Sequence, residues 1–378
     1  MNNPSNKTTF STSVFVLLFI AGLLIGGLLL FYANTQQLSH LNTRIDNLQA
    51  TIASLQGFQN VTYQSITVLQ NGTSLADLYA EVRDSVVLIR SQTSTHGMQG
   101  SGFIYNYAGQ IVIITNYHVV ADATSLSVTF SDGKGYAAAI LGTDPYVDIA
   151  ILTLTDSRAE KLNPVTIVSS STLRVGEPVI AIGNPYGLVG SLTTGVVSAT
   201  GRSLVEDTAG GFAIPNVIQT STPINPGNSG GLLLNSLGNV VGITTAILSD
   251  SQGLGFAIPS NTILREIAEL ITTGTYRGHA YLGVTGTDMH YDIAKQTHVS
   301  LTYGWQIVSI VSNGPCDNKL FKNDIIIAMN NQTIKNNDDL ASYLEENTLP
   351  GQTIDLTIIR NNQTLTVPIK LGTRPPLT

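Results

Sequence analysis

Between about Ser74 and Ile258 the apolar residues gather in short runs such as SVVLIRS, QIVIITN, IAILTL, PVIAIGN and NVVGITTAI, with Gly, Asn, Asp and Pro between them. Many short β-rich runs at close spacing, separated by turn residues, predict a mainly β sandwich or barrel. No helical stretch alternates with them, which argues against a doubly wound α/β sheet. The period then changes. In SNTILREIAELITTG, the side chains of Ile263, Leu264, Ile267, Leu270 and Ile271 share one helical face, with Ser260 as N-cap and Gly274 as the stop. A separate small α+β unit is expected from about His279 to Thr373, with strands in YLGVTG, GWQIVSIV, DIIIAMN, TIDLTIIRN and TLTVPIKL around one helix, NNDDLASYLEEN.

The N-terminal pattern is different again. Val14 to Phe31 is an unbroken run of 18 apolar or glycine residues without a charge, close to the length that crosses a hydrocarbon core as a helix. The FYANTQQ that follows has no small-x-small cleavage site, so the run reads as a retained anchor rather than a signal peptide. Lys7 precedes it and no Lys or Arg follows until Arg44, which favours the N-terminus inside and the body outside the cytoplasm. Leu38, Leu41, Ile45, Leu48, Ile52 and Leu55 then recur at steps of three and four, a heptad-spaced stripe on a short helical stalk. The expected organisation is a tail at 1–13, an anchor at 14–33, stalk and linker at 34–73, the β-rich domain with its helix at 74–274, and the last unit at 279–373.

Composition narrows the function classes. Charged residues make up 11% of the 378, against about 25% in ordinary soluble domains. The net charge is −7 and no basic stripe is present, which removes nucleic acid as a partner. Cys316 is the single cysteine, which excludes an intramolecular disulfide and a Cys-rich metal site. No metal or organic cofactor site is visible. Sequons stand at Asn60 and Asn71, of a kind common by chance in an Asn- and Thr-rich chain.

The candidate chemistry centres on INPGNSGG, Ile224 to Gly231. Gly227 to Gly231 satisfy G-x-S-x-G, but LLLNSLGNVVGITTAI follows as strand, turn and strand. The nucleophile elbow of α/β-hydrolases needs a helix there, so that reading fails. An all-β hydrolase takes its residues in the order His, Asp, Ser. The histidine accepts the hydroxyl proton and the carboxylate fixes the imidazole's tautomer. Upstream of Ser229 in the β-rich region stand His96, in a Ser/Thr/Gly loop, and His118, in IVIITNYHVVADA. Asp148 lies in GTDPYVDIAILTL just before an apolar strand. Taken alone, each of these residues could equally be structural.

Four blocks in order, ITNYHVVADA, DPYVDIAIL, GEPVIAIGNPYGLVGSLTTGVVSATGRS and INPGNSGGLLLNSLGNVVGIT, resemble the catalytic blocks of the HtrA (Deg) family of trypsin-like serine proteases. The resemblance runs from about 75 to 373 and implies a chymotrypsin/trypsin-like double β-barrel followed by a PDZ domain. It implies His118 as general base, Asp148 as its orienting carboxylate and Ser229 as nucleophile. Gly227 and Ser229 would offer N–H groups to the oxyanion, with Asn228 shaping the loop between them. Pro223 stands where a trypsin-type acid would sit, so cleavage after small or medium apolar residues is expected, with Ile224 lining the pocket. The loop before the histidine is short, so regulation by a long loop at that place is not expected. Tyr281, Leu282, Gly283 and Val284 resemble the carboxylate-binding loop of a PDZ domain, whose groove the helix with Leu340 and Leu344 would complete. Leu232 and Thr222-Pro223 depart from the family pattern near the serine, as do Cys316 and Asn323 in the last unit. The resemblance also implies a homotrimer, although Ile at one core position of the stalk and Leu at the other favour two strands. The expected function is a membrane-anchored, extracytoplasmic endopeptidase acting on unfolded proteins. The rival is a chaperone-like module that binds such chains with little turnover.

Overall fold

The computed structural model describes residues 12–57, 74–155, 162–184, 190–205, 212–225, 227–245 and 254–376. The linker after Gly57, with the sequons at Asn60 and Asn71, lies outside them. Two compact units divide at Ile66 and Thr67. The first contains α1 (Thr12–Gly57), one unbroken helix that runs through both the expected anchor and the expected stalk. Leu23, Leu28, Leu30 and Phe31 are exposed, as are Leu38, Leu41 and Ile45. Side chains before Ile20 and after Asn47, including Leu48, Ile52 and Leu55, lie outside the described set. Among the described residues no helix is long and apolar enough to cross a membrane.

The second unit starts with α2 (Leu75–Val82), where Ser74 accepts a hydrogen bond from the N–H of Asp77. Two closed antiparallel barrels follow. The first orders its strands β1 (Val86–Gln92), β2 (Gly97–Tyr107), β3 (Gln110–Thr115), β6 (Ile149–Leu154), β5 (Gly135–Asp144) and β4 (Ser125–Thr129) around the ring. The second orders β10 (Leu232–Asn235), β11 (Val240–Thr245), β12 (Gly255–Pro259), β9 (Ala213–Thr220), β8 (Ser191–Val205) and β7 (Pro178–Gly183). This is the double barrel expected from the sequence.

The strands read as continuous apolar runs because both of their faces are covered. Alternate residues point to opposite sides of a strand. Val87, Ile89, Ile104 and Leu152 fill the first barrel, and Val179, Ala181, Leu233 and Val241 the second. Their neighbours Val86, Phe103, Ile151, Ile180, Leu232 and Leu234 pack in the seam between the barrels.

Ile263, Ile267 and Leu270 of α4 (Ser260–Thr273) join that same seam. Ser260 is the first helical residue and not the cap, which is Pro259. Its hydroxyl donates instead to the carbonyl of Val168 at 2.5 Å, so a tertiary bond has claimed the capping group. Gly274 ends the helix at φ 82° as expected. A Cβ on Gly142 of β5 would lie 2.2 Å from the carbonyl oxygen of Leu270, so α4 rests its backbone directly on the first barrel.

The last unit pairs β13 (Ala280–Tyr281) with β20 (Gly372–Thr373). Its main sheet has the order β14 (Val284–Asp288), β15 (Trp305–Ile310), β16 (Ile325–Met329), β18 (Thr353–Arg360) and β19 (Gln363–Lys370), with β17 (Gln332–Thr333) on β16. It holds two helices where the sequence predicted one: α5 (Tyr291–Thr297) and α6 (Asn337–Asn347). Seven residues are too few for an apolar period to declare itself, and Ala294 is the only buried side chain of α5. Asn323 sits at φ 73°, a left-handed conformation that asparagine tolerates better than other side chains. The departure from glycine there leaves the turn intact. Cys316 is fully buried among Leu282, Trp305 and Leu320, and burial pushes its thiol up to about 12.

Candidate active site

His118 is the second residue of α3 (Tyr117–Val120), the short helix that follows β3. Asp148 closes the turn between β5 and β6 at φ 56°. Its fully buried carboxylate grips His118 twice. Oδ2 stands 2.9 Å from the imidazole Nδ1, and Oδ1 accepts the backbone N–H of His118 at 2.9 Å. Asn116 donates its amide to the Asp148 carbonyl at 3.0 Å, and Thr245 of the second barrel donates its hydroxyl to Oδ2 at 3.3 Å. The His118 side chain keeps 19% of its surface exposed, where the Asp148 side chain keeps none. An imidazole so held has a fixed orientation and a carboxylate in place to balance the charge it gains on accepting a proton. His96 is bonded within its own loop, to Thr93 and Thr95.

Ser229 is buried at the seam. The carbonyls of Gly227, Asn228 and Ser229 are each held. Ser101 of β2 donates its hydroxyl to the Gly227 carbonyl at 2.6 Å and its N–H to the Ser229 carbonyl at 2.7 Å. Thr244 donates to the Asn228 carbonyl at 2.6 Å. Gly227 and Gly230 take φ of 97° and 83°, and a Cβ on Gly230 would fall 2.1 Å from the Ser101 carbonyl oxygen. Gly230 therefore serves the close approach of the two barrels. Asn228 is buried with its Oδ1 lacking a hydrogen-bond partner. Ile224 is partly buried against the second barrel's core, and a Cβ on Gly255 would come within 2.8 Å of its Cγ1.

In the last unit, Tyr281 ends β13, Leu282 is buried in the core, Gly283 turns at φ 74° and Val284 opens β14, an edge strand. The Gly283 carbonyl accepts the N–H of Val311. Leu340 and Leu344 of α6 are buried in the same core. The other side of α6 meets the second barrel, where Asp338 accepts the N–H of Ser203 at 2.8 Å and pairs with Arg202.

A second histidine, which the sequence did not single out, lies at the junction of the first barrel and the last unit. His279 places Nε2 2.5 Å from Asp144 Oδ2 and Nδ1 3.1 Å from Glu345 Oε2 of α6. Arg265 of α4 pairs with both Glu266 and Glu345. Burial pulls the imidazole down, but the Glu345 charge and the hydrogen bonds of both carboxylates outweigh it and hold the pKa up at about 10. Burial likewise pushes Glu345 up, but His279, Arg265 and Arg374 carry it down to about 2. Burial, and then the Asp144 charge, raise Glu266 well above the usual carboxylate range. Asp144, Glu266 and His279 bring potential metal-ligand atoms within 4.8 Å of one another. Both imidazole nitrogens are already committed to carboxylates, and Arg265 and Arg374 supply the compensating charge, so the group is built as an ion cluster. A cleft of about 590 Å³ opens beside it, lined by Tyr117, Tyr146, Tyr276 and Arg374 among others. Ser229 does not line that cleft.

Comparison with known proteins agrees with this architecture. A trypsin-like peptidase domain matches residues 100–243 and a PDZ domain matches residues 280–371. The chain is similar to a probable periplasmic serine endoprotease DegP-like from Chlamydia trachomatis serovar D, with 37% identity over 282 residues, or 74% of this chain and 54% of that protein. It is 37% identical over 278 residues to the periplasmic pH-dependent serine endoprotease DegQ of Escherichia coli K12, covering 72% of this chain and 59% of the relative. The chain thus spans a little over half the length of these curated relatives. A solved structure, the HtrA-type protease AlgW with a decapeptide, superposes with a TM-score of 0.64 at 30% identity, covering 80% of this chain and all of that one.

Proposed function

The chain belongs to the HtrA family of trypsin-like serine proteases with a PDZ domain, and on that premise we propose that it is a serine endopeptidase in which Ser229 attacks the scissile carbonyl. His118 takes the hydroxyl proton and returns it to the leaving amine. Asp148 holds the imidazole in the tautomer that presents its other nitrogen to the serine. The N–H groups of Gly227 and Ser229 receive the oxyanion, with Asn228 spacing them. The observation that carries this reading is the two-point grip of Asp148 on His118, together with a serine loop in which the carbonyls of Gly227, Asn228 and Ser229 are tied back.

Ile224, with no carboxylate beside it in the sequence, supports a preference for cleavage after small or medium apolar residues. β14 as a free sheet edge next to Tyr281–Val284 supports capture of C-terminal peptides by strand addition. The apolar run of α1 supports anchoring in the cytoplasmic membrane with the barrels outside, and the relatives' periplasmic naming agrees with that side. Association as a homotrimer is part of the same reading, as is action on misfolded chains.

The test is digestion of casein by the purified full chain and by Ser229→Ala, with the cut sites mapped. Digestion by the wild type alone, with cuts after Val, Ile, Leu or Ala, is expected. Equal digestion by both proteins would sink the enzyme, and binding without digestion by either would favour the chaperone-like reading. Cuts mainly after Lys or Arg would remove the pocket assignment.

A further inference from the structure

Ser101 is wholly buried on β2, a strand of the first barrel, while the serine loop belongs to the second. It nevertheless makes four hydrogen bonds across and along the seam. Its hydroxyl donates to the Gly227 carbonyl at 2.6 Å and accepts the N–H of Asn184, just past β7, at 2.7 Å. Its N–H donates to the Ser229 carbonyl at 2.7 Å, and its carbonyl accepts the Thr115 hydroxyl at 2.7 Å. The Gly227 and Ser229 carbonyls belong to the 227–228 and 229–230 peptides, so one residue holds the peptide planes on either side of the 228–229 peptide, which carries the Ser229 N–H. The carbonyl between them, on Asn228, is held by other groups, the hydroxyl of Thr244 and the N–H of Gly231.

The consequence follows from the freedom of glycine. Gly227 has no side chain to limit rotation of its flanking peptides. The only side-chain group bonded to its carbonyl among the described residues is the Ser101 hydroxyl. That hydroxyl is itself aimed by the Asn184 N–H, which occupies one of its lone pairs and leaves its proton for Gly227. Hydrogen-bond donors stabilise an oxyanion only when they are already in place before charge develops. We propose that Ser101 is a positioning residue of the oxyanion-binding loop: its hydroxyl fixes the 227–228 peptide and its N–H fixes the 229–230 peptide, which pins Gly227 on one side and brackets the 228–229 peptide that carries the Ser229 N–H. It touches no reacting atom and acts through the two residues it holds.

The inference rests on the endopeptidase reading above. The experiment uses the full chain with a fluorogenic peptide carrying an apolar residue at the cut, and a peptide trifluoromethyl ketone of the same sequence as a probe that becomes an oxyanion when bound. Ser101→Ala is expected to lower kcat by about 10- to 100-fold, below the 10²- to 10³-fold typical of deleting a donor outright. KM should change by less than about threefold, and affinity for the ketone should fall in step with kcat. The acidic limb of the pH–rate profile, which reports the histidine, should not move. Ser101→Cys, which keeps a weak donor in place, should fall between the two and carries the test if Ser101→Ala does not fold. Ser260→Ala loses a buried serine-to-carbonyl bond of the same kind far from the loop, and should lose stability without losing ketone affinity. If the wild type cleaves but Ser101→Ala retains its kcat, or loses it with unchanged ketone affinity, the positioning role falls and the protease stands. If the wild type and Ser229→Ala are equally inert or equally active, both fall together.

Discussion

His118 and His279 both lean on buried aspartates, one at the seam between the barrels and the other at the junction with the PDZ domain. His118 meets a single carboxylate through one nitrogen and keeps part of its ring open to solvent. His279 is 2% exposed and has a carboxylate on each nitrogen. An imidazole that leans on a buried carboxylate and keeps part of its ring open to solvent is suited to proton exchange. A ring clasped on both sides by buried anions stays protonated and serves as a clip, here tying Asp144 of the protease domain to Glu345 of the PDZ domain. The surroundings, and not the residue type, decide between chemistry and architecture.

The largest expected effect separates the two by rate. Asp148→Asn leaves the packing in place but offers an amide where the imidazole needs an acceptor, and kcat for peptide cleavage should fall about 10⁴-fold. Thermal stability should be little changed, because Thr245 and Asn116 remain to anchor the turn. His279→Ala should do the reverse. It strips the partner from two buried carboxylates, a loss of about 3–5 kcal/mol measurable by urea unfolding, while kcat of the folded fraction changes far less than in Asp148→Asn. If His279→Ala proved as stable as the wild type, the clip would be no more than a contact.

A smaller and graded effect comes from pH. The folded pKa of His279, about 10, lies above its unfolded value of 6.5, so its stabilisation is complete below about 6.5 and is lost as pH rises through 10. Glu266, also raised, loses stability in the same direction. Glu345, lowered to about 2, contributes above 4.5 and fails as pH falls through 2. The junction is therefore strongest near pH 4.5, with Glu266 weakening it first as pH rises and His279 following above about 6.5. Melting curves of the wild type should move down between pH 7 and 10, and the gap to His279→Ala should narrow over that range. A constant gap would mean that His279 is neutral in the folded protein.

Local pattern made the barrels and the serine block readable in the sequence. Short apolar runs with turn residues between them announce strands, and His118, Asp148 and Ser229 stand in blocks whose order carries information. Ser101 and His279 had no such announcement. The hydroxyl of Ser101 finds its partner on Gly227 in the other barrel, and in GSGF it reads as an ordinary strand residue. His279 lies in RGHAYLG, and its partners Asp144 and Glu345 come from a barrel strand and a distant helix. The helices α2 and α5 were missed because they are too short for a period to show. Ser260 read as a cap because the bond that occupies it comes from Val168, which no local rule anticipates.

The bare edge at Gly142 carries a consequence for how the chain reaches this shape. Because the backbone of α4 lies against that glycine, one wall of the first barrel is covered by a segment synthesised only after the whole of the second. A ribosome would therefore release the N-terminal barrel with its flank still wet, to wait for a late arrival. Long-range closures of this kind slow folding and prolong the exposure of sticky intermediates.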